Sequence, residues 1–565
     1  MTNRLRRSIS RFVISFLIVT LGLVPANVPF AGVFSASAAA DAAESDGYAA
    51  YSAEVNGTQI VNLKVEYRTN PIGIDTTPRF SWNMVSNLRG QKQTAYQLLV
   101  ASSPDKLTPE EADIWNSGIV NSGSSVAVKY AGPPLEPTTR YYWTVKVWDK
   151  DGNELPMPEA NWFETGLLST NGIDGWDGAK WISVDTEEVG GAPFLRKEAP
   201  LNGEVESVRL YISALGVYVA FINGQRVGVV SDEGIAYELL TPGWTMYNKE
   251  INYMSYDVTN YVKGHDRVTI GAILGNGWYR GRISNRAPYY DPQNDLALFA
   301  KLLIRYADGT TESIVTDLDW KGTIHTPYVM NDIYDGEEYD ATKEIEGWNE
   351  NGFDDSGWYP VKEHNYRTLY PDVKVTSYNG RTAQIVDRWD QRPIAVTTYN
   401  GIINVESSKN GRGEINIDPS RTITDPQAAR DYDVTISSGD TVIFDLGQNM
   451  VGVPRITVKG EAGTKIRLRF AEMLNDDSPG ADGPKGSIYQ ANLRSAKASA
   501  YYTLKGDEQG ETYQTALSFF GFRYVEVTVL SEGKSVEILD VTGKVVTSAI
   551  NVTGSVVTSI MDYEN

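Results

Sequence analysis

The sequence predicts an all-β protein built from several β-sandwich domains. Glycine (51 residues), tyrosine (33) and tryptophan (13) are abundant, and long amphipathic helices are hard to find. Glycine suits tight turns, and aromatic side chains fill the space between packed sheets. A chain of 565 residues is too long for one hydrophobic core, so at ~150 residues per domain we expect roughly three to four domains.

The first predicted domain covers residues 60–168 and has the period-two pattern of half-buried strands. Within residues 141–148, Tyr141 and Trp143 begin one face of the strand, and Tyr142 begins the other. Asp151-Gly152 then supplies a hairpin turn. Together with the apolar run at 96–101, this pattern predicts a seven-strand sandwich similar to fibronectin type III.

Two further sandwiches are predicted, at residues 175–365 and 366–544. In the second domain the strong hairpin signal Asn223-Gly224 follows two apolar strands. In the third, Ile466, Leu468 and Phe470 share one face of a strand. The spacing of short strands and turn signals in both domains is typical of jelly rolls.

The N-terminus predicts secretion. Arginines within residues 4–11 precede an apolar run at 12–24, and Ala36-Ser37-Ala38 fits a cleavage site, so residues 1–40 are read as a signal peptide cleaved near Ala38 to Ala40. Residues 41–59 then form a flexible leader. The alternative is an uncleaved anchor, but the apolar run is shorter than the ~20 residues that span a bilayer. We expect a secreted protein with no membrane attachment after cleavage.

Charge and composition exclude several function classes. The net charge of −21, from 51 Lys+Arg against 72 Asp+Glu, repels nucleic-acid phosphates and anionic lipid. The absence of cysteine excludes disulfides, cysteine-ligated zinc and thiol catalysis. With only three histidines, the sequence offers few residues for a histidine metal site or a Ser-His-Asp triad. Any catalysis would depend on carboxylates.

Several motifs, in order along the chain, resemble the N-terminal modules of bacterial α-L-rhamnosidases. They are 70–75 (NPIGID) with 78–82 (PRFSW), 274–281 (LGNGWYRG), 333–341 (IYDGEEYDA), 445–452 (DLGQNMVG), 470–474 (FAEML) and 519–524 (FFGFRY). The resemblance implies that the second domain is the family's galactose-binding-like jelly roll and that the third is its concanavalin-like domain.

The resemblance also implies an enzyme that removes terminal α-linked L-rhamnose with inversion. In that family two acidic residues on an (α/α) barrel do the chemistry, one protonating the leaving oxygen and the other activating water. The family's Arg-Asp-Glu-Arg-like segment and its Gly-Trp-x-Gly-Asp motif are not found in this sequence. We therefore expect the catalytic barrel to be absent, no catalytic residue to be present, and residues 545–565 to be a truncated linker to the missing domain.

The sequence thus predicts an accessory region, inactive alone, that binds or positions rhamnose-containing glycans. Its partners would be those glycans and a separately encoded catalytic domain, and it would need no cofactor. One alternative is an active rhamnosidase that uses unrecognised carboxylates. Another is a structural surface or spacer protein.

Five side chains are candidate carbohydrate contacts, because aromatic rings stack on sugar faces while guanidinium and amide groups bond hydroxyls. They are Asn223, Trp244, Trp278, Tyr279 and Arg280. The alternative reading makes Asn223 a hairpin-turn residue and the tryptophans core residues.

Four carboxylates within six residues are a candidate calcium site, since Ca²⁺ accepts several oxygen ligands at flexible geometry. They are Asp335, Glu337, Glu338 and Asp340. The alternatives are a solvated turn or a cap for backbone N–H groups. A catalytic pair is disfavoured, because neighbouring side chains on a strand point to opposite faces.

Overall fold

β-Strands form most of the regular structure in the residues that the computed structural model describes, 57–169, 172–231, 234–282, 295–378 and 380–548. The predicted signal peptide, nearly all of the predicted leader, and residues 549–565 of the predicted linker lie outside these ranges. No helical barrel occurs in the described part, so the all-β prediction is confirmed. None of the described helices has the length and apolar character needed to cross a membrane.

The described strands fall into three successive groups along the chain. The first group is β1 (Thr58–Val65), β2 (Arg79–Ser86), β3 (Ala95–Ala101), β4 (Trp115–Asn116), β5 (Val128–Lys129), β6 (Arg140–Trp148) and β7 (Asn161–Glu164). The second is β8 (Ile182–Val184), β9 (Phe194–Pro200), β10 (Val205–Leu215), β11 (Val217–Ile222), β12 (Gln225–Arg226), β13 (Val229–Ser231), β14 (Gly234–Ala236), β15 (Glu250–Asp257), β16 (Arg267–Gly275), β17 (Ala297–Tyr306), β18 (Thr311–Val315), β19 (Lys321–Thr323), β20 (Tyr328–Asp332), β21 (Gly336–Asp340), β22 (Tyr359–Glu363) and β23 (Lys374–Ser377). The third is β24 (Gln384–Ile385), β25 (Ala395–Ile403), β26 (Glu414–Ile417), β27 (Val434–Ser437), β28 (Asp440–Gly460), β29 (Lys465–Ala471), β30 (Met473–Leu474), β31 (Ile488–Tyr489), β32 (Ser499–Thr503), β33 (Glu511–Gln514), β34 (Phe520–Val529) and β35 (Ser535–Thr547).

The described helices are single turns between strands. The α-helical turns are α1 (Thr259–Val262), α2 (Gly277–Arg280), α3 (Tyr366–Leu369) and α4 (Pro426–Arg430). The 3₁₀ turns are Pro104–Lys106, Ala341–Lys343, Asp387–Trp389, Val405–Ser407, Pro419–Arg421 and Ala491–Leu493.

The first sandwich packs the three-stranded sheet β1-β2-β5 against the four-stranded sheet β4-β3-β6-β7. Its core contains Phe80, Trp82, Trp143 and Phe163, all buried. On β6 the apolar side chains face inward at alternate positions, as the sequence pattern predicts, because the side chains of a strand alternate between its two faces. The predicted seven-strand sandwich is confirmed.

The second sandwich is one continuous sheet that folds over its own core. Its strand order is β12-β11-β16-β9-β19-β22-β8-β17-β10-β15-β23, with β18 paired to β17. Leu210 on β10 and Leu302 on β17 belong to the same buried cluster as Ala220 on β11 and Ile270 on β16. The two arms of the sheet therefore face each other across a shared apolar interior.

The third sandwich is organised by β28, a strand of 21 residues. Its first part, around Val442 and Phe444, pairs with β25 and β34. Its second part, around Ile456 and Val458, pairs with β35. All four of these side chains are buried in one cluster, so a single long strand runs from one side of the core to the other. β35 ends at Thr547, so residues 545–547 belong to this sheet rather than to a linker.

The second and third sandwiches exchange strands, so the predicted boundary between residues 365 and 366 does not separate their sheets. β20 and β21 lie before that boundary, yet β21 pairs in parallel with β32 of the third sandwich. β23 lies after it, yet pairs in parallel with β15 of the second sandwich. A parallel pair between distant segments leaves no local turn signal, which is why the sequence does not reveal it.

Buried polar contacts fix the first sandwich to the second. The Arg209 guanidinium donates to both oxygens of Glu164, at 2.7 and 2.8 Å. Asp75 accepts hydrogen bonds from the Tyr253 hydroxyl at 2.8 Å and from the Ser377 backbone N–H at 2.9 Å. Such groups are costly to bury unless they are paired, so these contacts hold the two sandwiches in one arrangement.

We expect Gly336→Ala to disrupt the joint between the second and third sandwiches. Gly336 has φ +102°, and a Cβ there would lie 1.8 Å from the Ser499 carbonyl oxygen. Backbone strain and the clash should together lower the free energy of unfolding by about 4 kcal/mol. Chemical denaturation followed by tryptophan fluorescence measures the loss. Gly309→Ala is the matched control, because Gly309 has φ +84° and open space around it, so it should lose only about 1 kcal/mol. Equal losses in the two variants would show that the close approach to Ser499 is unimportant.

Candidate functional site

The candidate site is a cleft of about 490 Å³ between the second and third sandwiches. One wall comes from the segment that precedes β15, one from α2, and one from the third sandwich. Its lining residues are Leu239, Leu240, Thr241, Pro242, Gly243, Trp244, Asn252, Trp278, Tyr378, Thr382, Ala383, Val451, Phe519, Val546, Thr547 and Ser548. This volume and this mainly apolar lining, with a few hydroxyl and amide groups, are typical of small-molecule sites.

Two of the five predicted carbohydrate contacts, Trp244 and Trp278, meet in this cleft. Their ring planes are parallel to within 2°, and the ring centroids lie 6.4 Å apart. Trp244 is 51% exposed, and Trp278 is half-buried against the core residues of the seam. The pair therefore places two parallel indole rings at a solvent-accessible cleft.

The turn that carries Trp278 is held in place by asparagine side chains. The Asn276 backbone N–H donates to Oδ1 of Asn331 at 2.7 Å, and Nδ2 of Asn276 donates to the Asn331 carbonyl oxygen at 2.7 Å. Gly277 follows with φ +49°, and a Cβ there would lie 2.5 Å from Val217. Because Asn331 is on β20, the exchanged hairpin positions the indole of Trp278.

A buried carboxylate lies directly behind the cleft and joins two of its walls. Glu238 accepts hydrogen bonds from the hydroxyls of Tyr256 and Thr382. Burial raises the pKa of the Glu238 carboxyl above its ordinary value, and the hydrogen bonds partly oppose this shift. Thr382 lines one wall and the chain leaving Glu238 forms another, so this carboxyl sets the spacing of the two walls.

The sequence reading did not identify Glu238, nor the wall residues Val451, Phe519 and Val546. Glu238 stands alone in its segment, without a motif around it. The three apolar wall residues look like ordinary strand or loop positions. Their shared feature is their position on the cleft wall at the seam between two sandwiches, which depends on long-range strand pairing.

The other three predicted carbohydrate contacts do not line this cleft. Asn223 occupies a hairpin turn with φ +48°, and its amide donates to the Tyr261 carbonyl oxygen and accepts from the Thr269 N–H. Tyr279 is buried, with its ring edge-on to Tyr247. Arg280 is half-buried, and desolvation lowers the pKa of its guanidinium. A sugar contact at these three residues stays a prediction.

The four predicted calcium ligands are directed to different partners. Asp335 forms ion pairs with Arg282 and Lys497, and Glu338 forms one with Lys465. Asp340 accepts a hydrogen bond from the Thr342 hydroxyl and forms an ion pair with Lys343. Glu337 is fully buried. Within the described ranges, no group of three or more His, Asp or Glu side chains is arranged so that it could hold a metal ion. Calcium binding therefore stays a prediction without geometric support.

Glu337 instead holds the loop that leads to the cleft residue Phe519. One of its oxygens accepts from the backbone N–H groups of Ala516 and Leu517, at 3.1 and 2.8 Å. The other accepts from the Tyr513 hydroxyl at 3.1 Å. Complete burial raises the pKa of the Glu337 carboxyl to about 7, with these hydrogen bonds opposing the rise.

Comparison with known protein families matches three consecutive parts of the chain. Residues 60–169 match a Rha78A-like N-terminal immunoglobulin domain. Residues 203–386 match the α-L-rhamnosidase N-terminal domain, and residues 435–547 match the bacterial α-L-rhamnosidase concanavalin-like domain.

Individual relatives agree with these matches. An α-L-rhamnosidase of Streptomyces avermitilis is 30% identical, over 88% of this chain and 58% of its own length. The structure of an α-L-rhamnosidase from Dictyoglumus thermophilum is 31% identical with a TM-score of 0.67, over 88% of this chain and 49% of its own. The structure of the S. avermitilis enzyme complexed with L-rhamnose is 28% identical with a TM-score of 0.69, over 87% of this chain and 58% of its own. The chain spans about half the length of the curated relatives it matches.

We expect Glu337→Gln to remove a pH dependence of stability. Because the folded-state pKa of about 7 lies above the ordinary 4.5, the protonated form favours folding. The contribution is complete below about pH 4.5 and is lost as the pH rises through about 7, by up to about 3 kcal/mol. Unfolding followed between about pH 5 and 8 should show wild type losing stability relative to Glu337→Gln.

Glu338→Gln is the control for this measurement. Glu338 is the next residue on the same strand but is only half-buried and pairs with Lys465 at 2.6 Å. Its variant should follow the wild-type pH profile. Parallel profiles for wild type and Glu337→Gln would contradict the assignment of the dependence to Glu337.

Proposed function

Since the chain belongs to the bacterial α-L-rhamnosidase family and represents its N-terminal region, we propose that it is a non-catalytic, carbohydrate-binding part of a secreted glycoside hydrolase. Its role is to bind or position rhamnose-containing glycans from which terminal α-L-rhamnose is removed. The hydrolysis belongs to a catalytic domain outside the described residues, and a separately encoded domain of that kind would be its protein partner. The N-terminal signal-like sequence supports export.

The cleft with Trp244 and Trp278 is the observation that carries this proposal. A pyranose ring has one face rich in C–H groups and a rim of hydroxyls. Flat indole surfaces bury the C–H face, and hydroxyl and amide groups such as those of Thr382 and Asn252 form hydrogen bonds with the hydroxyls of the rim. The apolar side chains of Leu240 and Val546 suit the methyl group of a 6-deoxy sugar.

The chemistry of the cleft favours binding rather than hydrolysis. Inverting hydrolysis needs two carboxyl groups, one on each side of the glycosidic bond. None of the described residues that line the cleft carries a carboxyl group. Glu238 and Glu337 have raised pKa values, but both are buried and already accept hydrogen bonds from protein groups.

We expect Trp244→Ala to weaken binding of L-rhamnose at least about tenfold. The variant removes one of the two parallel ring surfaces, and losing an aromatic contact of this size costs about 1.5–3 kcal/mol. Because Trp244 is half-exposed, the fold should be unaffected, and circular dichroism would verify this. Isothermal titration calorimetry of the purified protein with L-rhamnose measures the change.

Trp162→Ala is the matched control for Trp244→Ala. Trp162 is a half-buried tryptophan of the first sandwich that stacks under Arg140 and does not line the cleft. Its variant should bind L-rhamnose as wild type does. Folded wild-type protein that gives no heat with L-rhamnose would favour a spacer role and remove the basis for a binding function.

The purified chain should release no phenol from an aryl α-L-rhamnoside, because its cleft offers no carboxyl groups to act as general acid and general base. A chromogenic assay, with a full-length relative of the family as positive control, measures turnover. Release above the no-enzyme blank would refute the non-catalytic assignment.

A further inference from the structure

A second cleft, of about 700 Å³, lies elsewhere on the seam between the second and third sandwiches. It shares no lining residue with the first cleft. Its lining residues are Phe194, Phe221, Ile273, Pro327, Tyr328, Tyr339, Ala341, Glu344, Ile345, Glu346, Gly347, Trp348, Asn349 and Lys505. Among these residues, only Tyr339 and Ala341 lie in a motif that resembles the family, the segment 333–341, which also holds the calcium candidates.

Aromatic rings form the walls of this second cleft. Phe221 lies edge-on to Trp348 with centroids 5.6 Å apart, and Tyr328 lies edge-on to Tyr339 at 4.9 Å. Phe221 and Tyr339 are only half-buried, although both belong to an otherwise buried apolar cluster. Their remaining exposed ring surface is available to a flat apolar face of a ligand.

Tyr328 supplies a polar group that the protein leaves unused. Its side chain is 8% exposed, and its hydroxyl makes no hydrogen bond to any residue in the described ranges. The hydroxyl oxygen keeps some solvent-accessible surface, and a phenol hydroxyl both donates and accepts, so water or a ligand can bond it. Because Tyr328 lines the cleft, a ligand there can be its partner.

Charges on the rim restrict the kind of ligand. Lys505 donates to Glu344 at 2.8 Å, and Tyr339 donates to the other oxygen of the same carboxylate at 3.0 Å. Glu346 makes no ion pair with a described residue, so one negative charge is left uncompensated at the rim. This charge repels phosphates and carboxylates, whereas carboxylate and amide oxygens bond hydroxyl groups well.

From these four features we propose that the second cleft is a second carbohydrate site, which takes a neutral pyranose. The ring surfaces of Phe221 and Tyr339 bury its C–H face, and the Tyr328 hydroxyl bonds one of its hydroxyls. At the rim, the Glu346 carboxylate accepts hydrogen bonds from sugar hydroxyls, and the Asn349 amide accepts or donates them. The site extends the proposed function but stands on separate residues, so the chain holds a glycan at two points.

Tyr328→Phe tests this site without disturbing the fold. It removes only a hydroxyl that has no protein partner, so the thermal unfolding midpoint should be unchanged or slightly raised. Binding at the second site should weaken about tenfold. Phe221→Ala removes a wall and should abolish that site. Equilibrium dialysis of the full chain with radiolabelled L-rhamnose counts sites per chain.

We expect two L-rhamnose sites in wild type, one in Trp244→Ala, one in Phe221→Ala and none in the double variant. If wild type has a single site, and Trp244→Ala removes it while Tyr328→Phe leaves it unchanged, the second site is refuted and the proposed function stands. If the single site is removed by Phe221→Ala and is unchanged in Trp244→Ala, the second site stands and the first is refuted. No binding to folded protein would overturn both.

Discussion

The parallel pairing of β21 with β32 is the constraint on which the functional part of this molecule depends. It inserts a hairpin from the second sandwich into the sheet of the third. Gly336 permits it, because any side chain there would meet the Ser499 carbonyl. Glu337 then secures it, since its buried carboxylate accepts backbone N–H groups from the loop at 516–517. Parallel strands need long connections, and this one joins segments about 160 residues apart, so its stability rests on such tertiary contacts.

Both clefts follow from that joint. One apolar cluster fills the seam, and it includes Leu240 of the first cleft and Trp348 of the second. The hairpin positions Trp278 through Asn331, and the loop held by Glu337 leads to Phe519. Clefts at the junction of domains are common ligand sites, because two convex surfaces leave a groove where they meet. The rigidity of the joint therefore determines how well each cleft is preformed.

The sequence predicts the local parts of this structure well and the long-range parts poorly. The alternation at Tyr141 and Trp143 and the hairpin at Asn223 depend on neighbours in the chain, and the structure agrees with both. Trp244 and Trp278 could be named as candidates from their residue type, yet nothing local shows that they would become parallel neighbours while Asn223 would not join them. The strand exchange depends on pairing between distant segments, where strand patterning is compatible with several partners.

Buried carboxylates illustrate why a perturbed pKa is not by itself a sign of catalysis. Burial raises the pKa of both Glu238 and Glu337, which is the property expected of a glycosidase acid. A general acid must also reach the glycosidic oxygen. Glu337 has no exposed surface, and Glu238 lies behind the cleft wall with both oxygens accepting from hydroxyls. In this chain the same burial that raises these pKa values also keeps the carboxyls from substrate, so their perturbation reflects the cost of joining β-sandwiches through buried polar groups.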